Sequence, residues 1–306
     1  MAEPGLSSPF RAPSNLELMA IESTDAAAAG TVTLGGDLEV RRLGFGAMRL
    51  TGDGIWGPPD DREEARAVLR RAVDLGVDFI DTADAYGPNV SEELIAEALH
   101  PYPGGLVIAT KGGLTRSGPG RWSPDCRPEH LREACEGSLR RLRLERIDLY
   151  QLHTVDSNVP LEESVGALAE LHDAGKVAHI GLSNVDAEQI ARAREIVPIV
   201  SVQNRYSIED RRSETVLEEC ERQGIAFIPW FPLAAGRLGE PGPIARVGEA
   251  HAATPFQVAV AWLLVRSPVM LPIPGTSSVE HLEDNVAAAG LRLAEAEFEE
   301  LSALGD

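Results

Sequence analysis

Val77-Asp78-Phe79-Ile80-Asp81-Thr82-Ala83-Asp84-Ala85-Tyr86-Gly87 is the stretch that decides how this chain is read. Val77 to Ile80 is an apolar run rich in β-formers and too short for a helix, so it reads as a buried strand. The strand delivers Asp81 and, five residues later, Tyr86 into a loop. A phenol titrates at about 10 and is a slow acid at neutral pH. It becomes useful beside a group that lowers that value, and an ammonium is the simplest such neighbour. The next apolar run, Leu106-Val107-Ile108-Ala109-Thr110, ends on Lys111, and the run Ile147-Asp148-Leu149-Tyr150-Gln151-Leu152 ends on His153.

Outward from this stretch the chain keeps a regular beat. Helical periodicity occurs near 61–75, 91–99, 128–142, 161–174, 186–196, 211–223, 255–266 and 279–288, as in the spacing of Leu131, Cys135, Leu139 and Leu142. Short apolar runs lie between these segments, at 77–82, 106–110, 147–152, 177–182, 199–203, 225–229 and 269–273, and a Gly-punctuated run precedes them at 42–48. Strands that alternate with helices must run parallel, joined by right-handed crossovers. Eight such units predict an α/β fold, a (β/α)8 TIM barrel, with chemistry at the C-terminal ends of the strands. Thr31-Val32-Thr33-Leu34, Gly35-Gly36-Asp37 and Leu38-Glu39-Val40 predict an N-terminal β-hairpin. Residues 1–30, rich in Pro, Ser and Ala, are expected to be a flexible tail, and 31–306 a single domain. The competing architecture is a doubly wound sheet. It requires a glycine fingerprint opening the first helix, and Gly44-Phe45-Gly46 has no third glycine there.

Composition narrows the function. With 48 acidic against 28 basic residues the net charge is −20, which disfavours a polyphosphate partner such as nucleic acid. Cys126, Cys135 and Cys220 are odd in number and not in a metal spacing, so reduced thiols and a cytoplasmic setting are expected. The longest apolar run, Phe256 to Val265, is too short to cross a bilayer, and no membrane partner is expected.

Taken singly, the strand-end residues have plain explanations. Asp81 could cap a turn, Tyr86 could pack, Lys111 could be solvated and His153 could be a structural hydrogen-bonded histidine. Together they sit at the same end of consecutive strands, where a barrel converges them. A buried Asp–Lys pair compensates its own charges, the lysine acidifies the tyrosine, and the histidine can donate to a carbonyl oxygen. Such a site polarises a carbonyl and supplies a proton. It cannot supply a hydride, which implies a nicotinamide cofactor. A metal-dependent barrel hydrolase would need several converging ligands, whereas His153 is the one strand-end histidine, so no metal site is expected.

The segment Asp81-Thr82-Ala83-Asp84-Ala85-Tyr86-Gly87 resembles the signature of the aldo-keto reductase superfamily. Ala109-Thr110-Lys111, Leu149 to His153, Gly181-Leu182-Ser183-Asn184, Ser201-Val202-Gln203-Asn204 and Ile273 to Ser278 with Asp284-Asn285 match in the same order, over roughly residues 31 to 290. The pattern is most similar to a microbial branch that includes pyridoxal reductase. The resemblance implies a catalytic tetrad of Asp81, Tyr86, Lys111 and His153, with Tyr86 as proton donor. It implies an enzyme that reduces an aldehyde or ketone to an alcohol with NADPH. It also implies cofactor contacts: Ser183, Asn184 and Gln203 at the nicotinamide carboxamide, Trp230 stacked on the ring, and Met48 lining the site. Phe231, Leu233 and Arg237 would border the pyrophosphate, and Gly275, Thr276, Ser277, His281, Asp284 and Asn285 the adenosine end. Many relatives carry Lys or Arg near 275–277 and Arg at 281, where this chain has Gly275, Ser277 and His281. Arginine grips phosphate in a planar fork that histidine lacks, so NADP is the expected cofactor and NAD is possible. Leu114 to Arg127, with Arg116, Arg121 and Trp122, and Leu50 to Pro59, with Trp56, are candidate walls of the substrate pocket. The potassium-channel β-subunits share the fold and tetrad, so a cofactor-binding regulatory subunit is the alternative. Oligomeric state and the physiological carbonyl are not legible in the sequence.

Overall fold

The computed structural model describes residues 24–230 and 242–305. In chain order the elements are β1 (Thr31–Leu34), β2 (Leu38–Arg41), β3 (Phe45–Gly46), α1 (Arg62–Asp74), β4 (Phe79–Asp81), α2 (Val90–Leu99), β5 (Val107–Gly112), β6 (Leu114–Gly118), β7 (Arg121–Pro124), α3 (Pro128–Leu142), β8 (Ile147–Leu152), α4 (Leu161–Asp173), β9 (Val177–Ser183), α5 (Ala187–Arg194), β10 (Ile199–Arg205), α6 (Glu214–Gln223), β11 (Ala226–Trp230), α7 (Pro243–Ala250), α8 (Pro255–Arg266), α9 (Val279–Ala287) and α10 (Glu295–Ser302). Among the described residues no helix is long and apolar enough to cross a membrane.

Seven strands form one curled parallel sheet in the order β3-β4-β5-β8-β9-β10-β11. Residues 269–274 take the eighth position and close the ring. On one side Phe227 N donates to Val269 O (2.8 Å) and Leu271 N to Phe227 O (2.8 Å). On the other, Gly44 N donates to Pro272 O (3.0 Å) and Gly46 N to Pro274 O (3.4 Å). Pro272 and Pro274 have no N–H to return, so the seam accepts from β3 without forming a regular ladder. The predicted eighth strand is therefore present in position and irregular in hydrogen bonding.

Side-chain alternation explains why the strands are almost wholly apolar yet end in polar groups. Along β5 and β8, Ile108, Tyr150 and Leu152 face the helices, while Val107, Ala109, Lys111, Leu149, Gln151 and the residue after β8, His153, face inward. Both faces are buried, as parallel sheets require. The lower interior is an apolar cluster of Phe79, Val107, Leu149, Val200, Ala226, Ile228 and Leu271, which Leu34 and Val40 of the β1–β2 hairpin plug from below. Polar groups are left to the upper end. Helices present apolar stripes to the sheet: α1 buries Ala65, Val68, Leu69 and Ala72, and its N-terminal amides of Glu63 and Glu64 are capped by Asp61.

One expectation needs correction, and two elements were not foreseen. Of the tail expected over 1–30, residues 1–23 lie outside the described residues, and 24–30 are folded: Asp25 caps Ala27 N (2.7 Å), Ala26 N donates to Leu75 O (3.0 Å), and Ala26 and Ala29 are buried. Small alanine side chains let this backbone lie directly on the α1–β4 turn. Residues 114–124, within the candidate pocket wall Leu114 to Arg127, form an antiparallel hairpin, β6–β7, that the sequence did not signal. Helix α7 sits just past a Gly- and Pro-rich stretch that masks its short amphipathic period.

Gly275 and Gly46 meet backbone to backbone at the closing seam, and a Cβ on Gly275 would collide with the Gly46 carbonyl. Gly275→Ala should cost roughly 1–3 kcal/mol of stability, read as a lower urea midpoint at unchanged slope. An unchanged midpoint would show that the seam is not closed there.

Candidate active site

The upper end of the barrel is built on one buried ion pair. Lys111, at the end of β5, is fully buried, and Asp81, at the end of β4, is 2% exposed. Lys111 Nζ lies 2.6 Å from Asp81 Oδ2, and also donates to Thr82 O (2.8 Å) and Tyr86 Oη (3.5 Å). Asp81 Oδ1 accepts from Gln151 Nε2 (3.1 Å) and Gln203 Nε2 (2.8 Å). Three donor positions on the ammonium and the acceptor capacity of the carboxylate are thus used, the condition under which a buried pair is tolerable. Burial pulls the lysine pKa down, but Asp81 and Tyr86 outweigh it and the net shift is upward, so the ammonium is retained.

Tyr86 stands beside this pair, with its ring 5.2 Å from Lys111 Nζ and edge-to-face with His153 at 5.7 Å. Burial raises the Tyr86 pKa and the Lys111 ammonium pulls it back only part of the way. This qualifies the expectation from sequence: the lysine acts in the expected direction, but desolvation is larger, and the phenol is protonated at neutral pH. Burial and then Lys111 lower the His153 pKa well below the ordinary histidine value, so the imidazole is neutral. Its Nδ1 is buried without an acceptor.

Asp81, Tyr86 and His153, with Lys111 buried behind them, open on a cavity of about 1050 Å³ that runs from Asp81, Tyr86, His153, Trp122 and Leu114 to Thr276, Ser277, His281, Asp284 and Asn285, with Met48, Arg49, Ser183, Asn184, Gln203, Trp230, Phe256 and Gly275 along it. Of the cofactor residues implied by the resemblance, all in the described residues reach this cavity. Phe231, Leu233 and Arg237 lie outside the described residues. Asn184, in the left-handed region at φ 60°, is tied on every side. Its Oδ1 accepts from Trp230 Nε1 (3.0 Å), and its Nδ2 donates to His153 O (3.0 Å) and Ser183 Oγ (3.0 Å). It holds the indole in place. Gln203 gives its nitrogen to Asp81, which leaves its carbonyl oxygen as the group able to meet an amide. At the far end Ser278 caps α9 through His281 N (3.5 Å), and Glu64 Oε1 accepts from Val279 N (3.3 Å), so an acid already holds one helix-end amide. Among the described residues Arg49 is the one Lys or Arg lining the cavity.

Sequence reasoning missed two features. Gln151 supports Asp81, and its place two residues before His153 on one strand was the available signal. Behind the tetrad, Glu92 is fully buried, accepting from Thr110 Oγ1 (2.6 Å) and Arg141 Nε (2.6 Å). Asp84, 9% exposed with Oδ1 unpartnered, has its pKa raised to about 8 by burial and then by Glu92. No spacing rule pairs Glu92 with Asp84, because the α2 entry turn brings them together.

A family model described as the aldo/keto reductase family matches residues 42–306. The chain is 50% identical over 287 residues to an uncharacterized oxidoreductase of Schizosaccharomyces pombe, covering 94% of this chain and 93% of that one. It is 46% identical over 273 residues to pyridoxine 4-dehydrogenase of Escherichia coli, covering 87% and 95% respectively. Among solved structures, an aldo-keto reductase from Klebsiella pneumoniae in complex with NADPH superimposes with a TM-score of 0.75 at 29% identity, covering 90% of this chain and 94% of that one.

Two outcomes follow from the buried charges. Lys111→Met strands Asp81 without its counter-ion and should cost about 3–5 kcal/mol of stability, measured by chemical unfolding; a loss below about 1 kcal/mol would mean that the pair is solvated. Asp84 binds its proton more tightly folded than unfolded, so folding stability should fall as pH rises from about 4 towards 8. Asp84→Asn should flatten that slope in melting curves across the range, and an unaltered slope would assign the titration elsewhere.

Proposed function

Because this chain belongs to the aldo/keto reductase family, we propose that it reduces an aldehyde or ketone to the corresponding alcohol with NADPH. The reading rests above all on one observation: a buried Lys111–Asp81 pair touches a protonated Tyr86 at the head of a cavity of about 1050 Å³.

The residues present suit such a cofactor. The Trp230 indole, held by Asn184, offers a flat face for a nicotinamide, while Ser183, Asn184 and the Gln203 carbonyl offer polar contacts to its carboxamide. Met48 adds an apolar contact. The Gly275 backbone presents no Cβ to the cavity. Thr276, Ser277, His281, Asp284 and Asn285 would surround the adenosine, with Arg49 and the His281 side chain as its anion contacts. When bound, NADPH supplies the hydride that none of these side chains can. The preference for NADP over NAD is supported by the NADPH held in the Klebsiella pneumoniae neighbour. Phosphate affinity is tempered by Glu64 and by a histidine at 281 where an arginine would fork.

The chain's own groups divide the remaining work. His153, neutral, donates to the substrate carbonyl oxygen and polarises it. As negative charge builds on that oxygen, the Tyr86 hydroxyl hands over its proton. Raising the phenol's pKa does not spoil this step, because an alkoxide is a far stronger base than a phenolate. Lys111 stabilises the phenolate left behind, and Asp81 with Gln151 and Gln203 keeps the ammonium in position.

Tyr86→Phe removes only the ionisable hydroxyl, so turnover of a carbonyl should fall by about 10²–10⁴-fold while NADPH binding, read by fluorescence quenching, survives. Retention of most of the turnover would transfer the proton to another group. His281→Arg should raise the ratio of NADPH to NADH affinity by about tenfold, the order of one charge-assisted phosphate contact; an unchanged ratio would remove His281 from the phosphate site.

A further inference from the structure

We propose that Arg116 is a positioning residue that locks Trp122 as a rigid aromatic wall beside Tyr86 and so biases the enzyme towards planar aromatic carbonyls. The proposal rests on the carbonyl-reductase reading above and names the substrate class for that site.

Three loops meet over the tetrad, and Arg116 is where they join. From β6 of the hairpin, its Nη1 donates to Ile55 O (2.8 Å) and Ala85 O (3.1 Å). Its Nη2 donates to Gly54 O (2.9 Å) and Gly118 O (3.4 Å). Its face lies on the Trp122 ring at 3.6 Å and reaches the Trp56 ring at 5.7 Å. Trp122, pinned from behind, meets Tyr86 and His153 edge-to-face, each at 6.4 Å. The loops are also laced directly, through Gly57 N to Gly87 O (2.6 Å) and Gly120 N to Gly54 O (3.3 Å).

What Arg116 lacks is as informative as what it holds. In a chain with 48 acidic residues it makes no ion pair among the described residues. Burial lowers its pKa, a cost that a guanidinium placed merely for solubility would not incur. Its acceptors are four carbonyl oxygens and its other partners are aromatic rings. Only a flat, delocalised cation with a fixed fork serves both; a lysine would keep the charge and lose the stack and the fork. The ring so fixed lines the cavity together with Leu114, Tyr86 and His153. A flat substrate gains contact with an immobile indole without ordering it first. A small aliphatic carbonyl reaches Tyr86 and His153 without needing that wall.

The test compares benzaldehyde and propanal as substrates for wild type, Arg116→Lys, Arg116→Met, Trp122→Leu and the Arg116→Met/Trp122→Leu double variant, with NADPH affinity and thermal midpoint measured in parallel. Each single substitution should raise the KM for benzaldehyde about tenfold, the size of a lost apolar contact, with KM for propanal and NADPH affinity changed by less than about threefold. The double variant should be no worse than Trp122→Leu, since Arg116 acts through that ring. Parallel losses for both aldehydes, losses that multiply in the double variant, or full rescue by Arg116→Lys would overturn the proposal. Should the arginine variants fail to fold, Trp122→Leu alone decides it, and an unchanged aldehyde preference there overturns it. A wild type that binds NADPH and reduces neither aldehyde nor any other carbonyl refutes the underlying activity instead.

Discussion

One contact constrains the upper half of this molecule: the 2.6 Å pair between Lys111 and Asp81, out of reach of solvent. An ammonium and a carboxylate can be removed from water only if each finds nearly all its hydrogen bonds within the protein. That requirement recruits Thr82 O and Tyr86 Oη to the lysine and Gln151 and Gln203 to the aspartate. The four strands β4, β5, β8 and β10 are thereby coupled through side chains as well as through their ladders. The apolar lower interior, plugged by Leu34 and Val40, leaves these polar groups no alternative compartment.

The same burial sets the protonation states. Desolvation favours neutral forms, so His153 loses its charge and Tyr86 keeps its proton, while Lys111 resists because its counter-charge is in contact. A neutral donor, a protonated phenol and a fixed cation are the set that carbonyl reduction needs, and they arise from burial acting on three different side chains. Asp84 shows the other side of this electrostatics. Among the described residues it makes no ion pair; Glu92 outweighs either Arg141 or Lys111, and it meets burial by holding its proton.

Much of this was legible beforehand, and the reasons are specific. Period-two alternation on β5 and β8 is enough to put Lys111 and His153 inward at strand ends, and the short run Phe79–Asp81 does the same for Asp81. Strand and helix positions were accessible because parallel strands buried on both faces are nearly uninterrupted apolar runs. What failed was non-local or irregular. The seam at 269–274 has strand placement without strand bonding, because Pro272 and Pro274 remove donors. Residues 24–30 read as a tail because alanines carry no periodic signal, yet Ala26 and Ala29 are buried. Arg116 and Trp56 could be named as wall candidates, but not the stack that joins them through Trp122, since it depends on how three loops fold over one another. The balance of desolvation against the lysine at Tyr86 likewise needed coordinates.

The central claim is that Lys111 matters to turnover because it sits on Tyr86. The direct measurement is carbonyl turnover, at saturating NADPH, of Lys111→Met, Tyr86→Phe and the variant carrying both. Residues that act as one unit lose little more together than apart, so the double variant should match Tyr86→Phe within about threefold. Losses that multiply would mean that the ammonium and the phenol serve separate steps, and would contradict the account.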